Sequence, residues 1–197
     1  MHSEKEINQL RKDIVFSTNL CGQALTFHST WGLFSPRAID EGSELLLKYI
    51  EVNDNDGCLD LGCGYGPLGI TLAKLAPQGK TTLVDKDFVA VDYANKNIQL
   101  NHLDNAEALL SNGFDQIRER RFDLIDSNIP AKVGNELLSL FFHDALQQMN
   151  PGGRLYVVTI NGLRDYIKRN FKEIFGNYDK LKQGKNYTVA MAQKTTN

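Results

Sequence analysis

At 197 residues, with 42% apolar and 23% charged side chains, the chain has the size and composition of one soluble α/β domain. The opening MHSEKEINQ is charged and carries no apolar segment, which argues against a secretory leader, and no apolar run approaches the ~20 residues of a membrane span. Cys21, Cys58 and Cys63 are odd in number and form no CxxC pair, which suits a reducing cytoplasm and argues against a disulfide framework. The net charge of −2 is unevenly spread: residues 151–197 hold nine Lys or Arg against three Asp or Glu, a net +6 that leaves −8 on residues 1–150. That asymmetry fits either an anionic partner on one face or a solvated helix with no partner.

In chain order, IVFSTN (14–19) and ALTFHS (24–29) flank Cys21-Gly22 and read as a β-hairpin. Residues 1–30 thus form an N-terminal extension and residues 31–197 the main domain. In LFSPRAIDEGSELLLKYI, Ser35 before Pro36 signals a helix start, with one apolar face running to Ile50. Strand-like runs follow at Cys58–Leu61, Thr81–Val84, Ala106–Leu110, Phe122–Ile125 and Gly153–Ile160. Helix-like runs at about 67–75, 87–101, 134–149 and 162–174 fall between and after them. This alternation predicts a doubly wound, Rossmann-like α/β fold with a mostly parallel sheet. FGNYDKLKQGKNYTVAMAQ reads as two strands around Gln183-Gly184-Lys185-Asn186, an antiparallel pair closing one edge.

The segment LDLGCGYGPLG (59–69) leaves a strand and opens a helix. Gly62, Gly64 and Gly66 permit a tight turn and bring a ligand close to bare backbone. Gly64 to Gly69 satisfies G-x-G-x-x-G, but Asp60 beside it would repel a pyrophosphate. S-adenosylmethionine (SAM), with an ammonium and a sulfonium and no phosphate, suits that acid better. TTLVDKD ends the next strand and places Asp85 nineteen residues after Gly66, where a carboxylate can accept from two ribose hydroxyls. A helix N-cap explains Asp85 or Asp87 equally well. Asn112-Gly113, in LLSNGFD, is a turn or a contact for adenine. Further on, DLIDSNIPAKVG (123–134) puts Asn128 either in an ordinary strand-ending turn or at the open edge of the sheet, where ligands bind.

DLGCGYG, LVDKD, SNGF and MNPGGRLYVV occur in the order found in class I SAM-dependent methyltransferases, which the chain resembles over roughly residues 13–195. HSTWGLFSPRAIDEGSELLL resembles the "methyltransferase small" family, which includes guanine-N2 methyltransferases of ribosomal RNA. The resemblance implies SAM as cofactor, held by Asp60, Gly62, Gly64, Gly66, Asp85, Asn112, Gly113 and Asn128. Ser127-Asn128-Ile129-Pro130 falls where amino-methyltransferases have Asn-Pro-Pro followed by an aromatic residue. In that frame the Asn128 side-chain oxygen and the Ile129 carbonyl accept from the target amine, with Pro130 completing the turn. An aromatic amine is a poor nucleophile because its lone pair is delocalised, and two acceptors on its hydrogens turn that lone pair toward the methyl.

Ile129 replaces the first proline, and Ala131 replaces the aromatic that stacks on the base, so stacking falls to Phe34 or Trp31. Phe34, Lys132, Lys168 and Lys182 are the candidate substrate contacts. The implied partner is ribosomal or transfer RNA, methylated on a guanine exocyclic amine. A protein amide methyltransferase and a non-catalytic SAM-binding subunit are the alternatives. His2, His28, His102 and His143 are scattered and the cysteines dispersed, so no metal site is expected.

Overall fold

The computed structural model describes residues 3, 4, 7 and 12–195. Strands β1 (Ile14–Leu20) and β2 (Gln23–Ser29) pair antiparallel with Leu20 opposite Gln23. Cys21 and Gly22 both adopt positive φ, the geometry that matches strand twist in a two-residue hairpin, and Asn19 Oδ1 accepts from the Gly22 N–H at 3.0 Å.

The remaining strands form one seven-stranded sheet. They are β3 (Cys58–Leu61), β4 (Thr81–Asp85), β5 (Ala106–Leu110), β6 (Phe122–Asn128), β7 (Met149–Ile160), β8 (Asp179–Gln183) and β9 (Tyr187–Gln193). Their order is β5-β4-β3-β6-β7-β9-β8, with β9 antiparallel to both neighbours and the other pairings parallel. The helices are α1 (Glu41–Leu47), α2 (Pro67–Leu75), α3 (Phe88–Leu100), α4 (Asn135–Gln148) and α5 (Arg164–Ile174). The strands bury alternate residues on opposite faces. Cys58, Leu83, Leu124 and Val158 share one core with Leu46, Ile70 and Ala94 of the first three helices. Leu59, Val84, Ile125 and Val157 pack with Leu138, Phe142 and Phe171 of α4 and α5. This is the expected doubly wound fold, with its antiparallel edge and amino-terminal hairpin.

Three elements differ from expectation. No helix begins at Ser35-Pro36: Ser35 takes a φ of 45°, its hydroxyl donates to the Ala38 carbonyl at 2.7 Å, and α1 starts at Glu41. Asp40 is the true N-cap, extended in its backbone and accepting from the Ser43 N–H at 3.0 Å. Strand β6 also continues three residues past Ile125, so Ser127 and Asn128 belong to the sheet rather than to a turn. Finally, β7 begins at Met149 rather than at Gly153, and takes in Asn150-Pro151-Gly152, where the register jumps from Phe122–Met149 to Leu124–Arg154.

The hairpin is fastened to α3 through two asparagines one helical turn apart. Asn97 accepts from the His28 N–H at 2.7 Å and donates to the carbonyls of His28 (2.8 Å) and Tyr65 (2.9 Å). Asn101 bonds both main-chain groups of Thr26 in the same way. Because Asn97 is fully buried, Asn97→Ala strands three main-chain groups and should cost about 2–4 kcal/mol, read from the urea midpoint. A loss below about 0.5 kcal/mol would mean that the Asn97 bonds do not hold the hairpin.

Candidate active site

Neighbouring strands β3 and β6 send their chains to opposite sides of the sheet, so a crevice opens beyond their carboxyl ends. A cavity of about 460 Å³ occupies it. One wall is the loop from β3 to α2. Gly62 and Cys63 donate to the Val84 carbonyl at 2.9 and 3.0 Å, which lays the loop over the end of β4. Asp85 then clamps it: Oδ2 accepts from the Gly64 N–H at 2.9 Å and Oδ1 from the Asp87 N–H at 3.0 Å. Each oxygen retains a lone pair for a ligand hydroxyl. The N-cap of α3 is Asp87, which leaves Asp85 free of that task.

A Cβ placed on Gly62 or Gly64 would meet nothing within 4 Å, so the loop presents bare backbone to the cavity. Gly66 plays a different part. At φ 97° it caps α2, and a Cβ there would stand 2.9 Å from Ile70 Cδ1, so Gly66 turns the chain and does not line the cavity.

The cavity is also lined by Asp60, Asp85, Asn112, Gly113, Asn128, Ile129, Pro130 and Phe34, so most of the candidate residues converge on it. Phe34 lies at the mouth with 67% of its surface exposed. Trp31 lies outside the lining, its ring covered by the Arg37 guanidinium at 4.4 Å. Lys132, Lys168 and Lys182 are exposed and do not line the cavity either. Lys182 lies over the Tyr49 ring at 5.9 Å.

Two carboxyls meet in the sheet, and one of them, Asp60, lines the cavity. Asp60 and Asp126 stand opposite each other on β3 and β6, both fully buried. Asp60 Oδ2 accepts from the Gly69 N–H at 2.7 Å, pinning the first turn of α2, while Asp60 Oδ1 and both Asp126 oxygens have no partner among the described residues. Burial drives both groups toward the protonated form, and the Asp60 charge pushes Asp126 up further. Cys63 is buried beside them, and burial holds its thiol well above the usual range, so it serves as a space-filler.

Asn128 ends β6 with its side chain turned toward α1. Its Nδ2 donates to Asp40 Oδ1 at 2.9 Å and to Ser43 Oγ at 3.1 Å. The next residue, Ile129, uses its N–H on the Val158 carbonyl. Asp40, Ser43, Tyr65 and Tyr187 also line the cavity and were not among the sequence candidates. Tyr65 donates to the Ser35 carbonyl at 3.1 Å and so ties the glycine loop to the Phe34 segment. The Asp-x-x-Ser of an N-cap is the one local signal that could have drawn attention to Asp40 and Ser43.

An orphaned carboxylate oxygen at the floor, bare loop backbone above it and Asp85 at the end of β4 fit a cationic nucleoside cofactor. Together with the doubly wound sheet they define a nucleoside-dependent transferase. Residues 24–191 match the methyltransferase small domain, and the chain belongs to that family; it is a SAM-dependent methyltransferase.

It is 28% identical to the Bacillus subtilis (strain 168) protein YbxB over 98% of this chain and 97% of that one. It is 34% identical to the ribosomal RNA small subunit methyltransferase C of Hamiltonella defensa subsp. Acyrthosiphon pisum (strain 5AT), over 82% of this chain but only 48% of the relative. Among solved structures, the Thermus thermophilus 16S rRNA N2 G1207 methyltransferase RsmC, in complex with AdoMet and guanosine, superposes with a TM-score of 0.84 at 31% identity. That match covers 92% of this chain and 50% of RsmC, so the chain spans about half the length of both ribosomal RNA enzymes.

The two buried carboxyls make stability depend on pH in a defined sense. Asp126 keeps its proton in the folded protein at pH values where the unfolded chain has lost it, so the folded state binds more protons. Its contribution to stability therefore falls as pH rises above the ordinary carboxylate range, until the folded group itself ionises. Asp126→Asn keeps the shape and removes the titration. It should gain on the wild type by up to about 1.4 kcal/mol per pH unit in that window, measured as urea midpoints from about pH 5 to about pH 9. A pH-independent difference would show that Asp126 titrates normally.

Proposed function

We propose that this enzyme methylates the exocyclic amine of a guanine in ribosomal RNA. The observation that carries the reading is the placement of Asn128. It closes β6 at the lip of the same cavity that the glycine loop lines, and no described residue donates to its side-chain oxygen. SAM, when bound, supplies an electrophilic methyl group. The chain's own residues must then hold the amine: Asn128 Oδ1 and the Ile129 carbonyl take its two hydrogens, and Pro130 fixes the turn. Asp85 accepts from the ribose, Gly62 and Gly64 admit the nucleoside, and Asn112-Gly113 lies where adenine would rest. Asp60 Oδ1 offers a negative end to the cationic part of the cofactor. Phe34 replaces the stacking aromatic missing at Ala131, since it is exposed at the mouth and Trp31 is engaged by Arg37.

A polyanionic substrate fits the basic carboxyl-terminal segment. Tyr187 on β9 pairs with Ile160 at the cavity end of β7, so the β8–β9 turn reverses at the same sheet edge as the site. Lys185 lies in that turn, Lys182 lies near the end of β8 that leads into it, and Lys168 lies one turn into α5, which begins just past Ile160. Lys132, three residues past Ile129, is exposed near the same edge. Such residues would hold phosphates and fix register without reading sequence. The Thermus and Hamiltonella relatives, named for ribosomal RNA, favour that substrate over transfer RNA or a protein amide.

Two variants separate binding from transfer. Asp85→Ala should weaken SAM by roughly 1.5–3 kcal/mol in calorimetry, because two hydroxyls lose a charged acceptor. Asn128→Ala should bind SAM normally and lose most methyl transfer into ribosomal RNA, as expected of an interaction made in the transition state. Near-normal turnover in Asn128→Ala would reduce the Ser127–Pro130 segment to a structural role. Incorporation of label into protein but not RNA would favour an amide substrate.

A further inference from the structure

The amide of Asn128 has two N–H donors, and both are spent on the first turn of α1. One goes to Asp40 Oδ1 at 2.9 Å and the other to Ser43 Oγ at 3.1 Å. A carboxylate accepts and never donates, so the amide nitrogen has to face Asp40 and its oxygen has to face the cavity. Asp40 is itself fixed. The same Oδ1 accepts from the Ser43 N–H at 3.0 Å as the N-cap of α1, and Ser43 is buried. Gly42 keeps the arrangement open, because a Cβ there would stand 3.0 Å from Asp40 Oδ1 and 3.2 Å from the Tyr187 ring.

We propose that Asp40 and Ser43 are positioning residues for methyl transfer, with Asp40 acting as a carboxylate braced behind the Asn128 amide. The proposal rests on Asn128 being the acceptor of the target amine. Its physical content is threefold. First, without Asp40 and Ser43 the amide could rotate and offer N–H groups to an amine that also has only N–H groups to offer. Second, a carboxylate pulling on the amide N–H shifts electron density onto the amide oxygen, which makes that oxygen a stronger acceptor. Third, as the N–C bond forms and the methyl–sulfonium bond breaks to leave a neutral thioether, the target nitrogen gains positive charge, and it loses a proton to water only afterwards. A negative charge one amide away offsets that build-up in a cavity partly closed to water.

An N-cap role alone would also be lost in Asp40→Ala, so the test must report on Asn128. With ribosomal RNA purified from a strain lacking this gene, Asp40→Ala should lower kcat about 10- to 100-fold and leave SAM affinity within about twofold. Asp40→Asn retains an oxygen that can accept from the amide and cap the helix, but has no charge, and should recover part of the rate. Introduced into Asn128→Ala, Asp40→Ala should lower the residual rate no further, since the group it acts through is gone. Losses that multiply, or a wild-type kcat in Asp40→Ala, overturn the positioning role while Asn128 keeps its own. Full turnover in Asn128→Ala overturns the acceptor reading instead.

A measurement without substrate keeps the two apart. The side-chain NH₂ resonances of Asn128, assigned by their absence in Asn128→Ala, should exchange slowly with water in the wild type and faster in Asp40→Ala. Unchanged exchange would overturn the bond on which the proposal stands.

Discussion

The reversal of strand order between β3 and β6 is the constraint on which everything else depends. These strands lie side by side, yet the chain leaves β3 toward β4 and β5 and leaves β6 toward β7. No connection can cover the gap between their ends, and backbone N–H groups, carbonyls and loop side chains collect there by topology alone. The glycine loop, Asp85 and Asn128 each sit at a strand end because the sheet delivers them to one edge. The chemistry is local, while its assembly is a property of the fold.

That assembly is bought with polar groups in the core. Asp60, Asp126, Asn97 and Ser127 are all buried, and each except Asp126 spends hydrogen bonds on backbone that the site needs rigid. Asp60 fixes the start of α2, Ser127 bonds the Leu61 carbonyl across the two strands, and Asn97 holds Tyr65. Tyr65 in turn reaches the Ser35 carbonyl, so hydrogen bonds tie the hairpin, the glycine loop and the Phe34 segment together. Asp126 stands apart. A buried carboxyl with no partner among the described residues, beside another carboxyl, destabilises the fold once charged.

Much of this was legible in the sequence because the governing signals are local. Period-two and period-3.6 patterns gave the strands and helices, and the glycine turn, with Asp85 nineteen residues after Gly66, pointed to the loop and the acid that line the cavity. Three features were hidden for physical reasons. Ser35-Pro36 has the chemistry of a helix start, but Asp40, whose backbone can extend and whose carboxylate is the better cap, outcompetes it. The Asn128–Asp40 bond joins residues 88 apart in the chain, and no pattern in either segment specifies the other. Asp126 reads as one more residue in an apolar strand, and only its in-register pairing with Asp60 shows that two acids meet.

The central claim is that the oxygen of Asn128 receives a guanine amine. Mass-spectrometric mapping of modified nucleotides in ribosomal RNA, comparing a strain lacking this gene with its parent, tests it most directly. The account predicts that one N2-methylguanosine disappears in the deletion strain and returns with the wild-type gene. A complete set of N2-methylguanosines in the deletion strain, with a methylated glutamine missing from a protein, would contradict it.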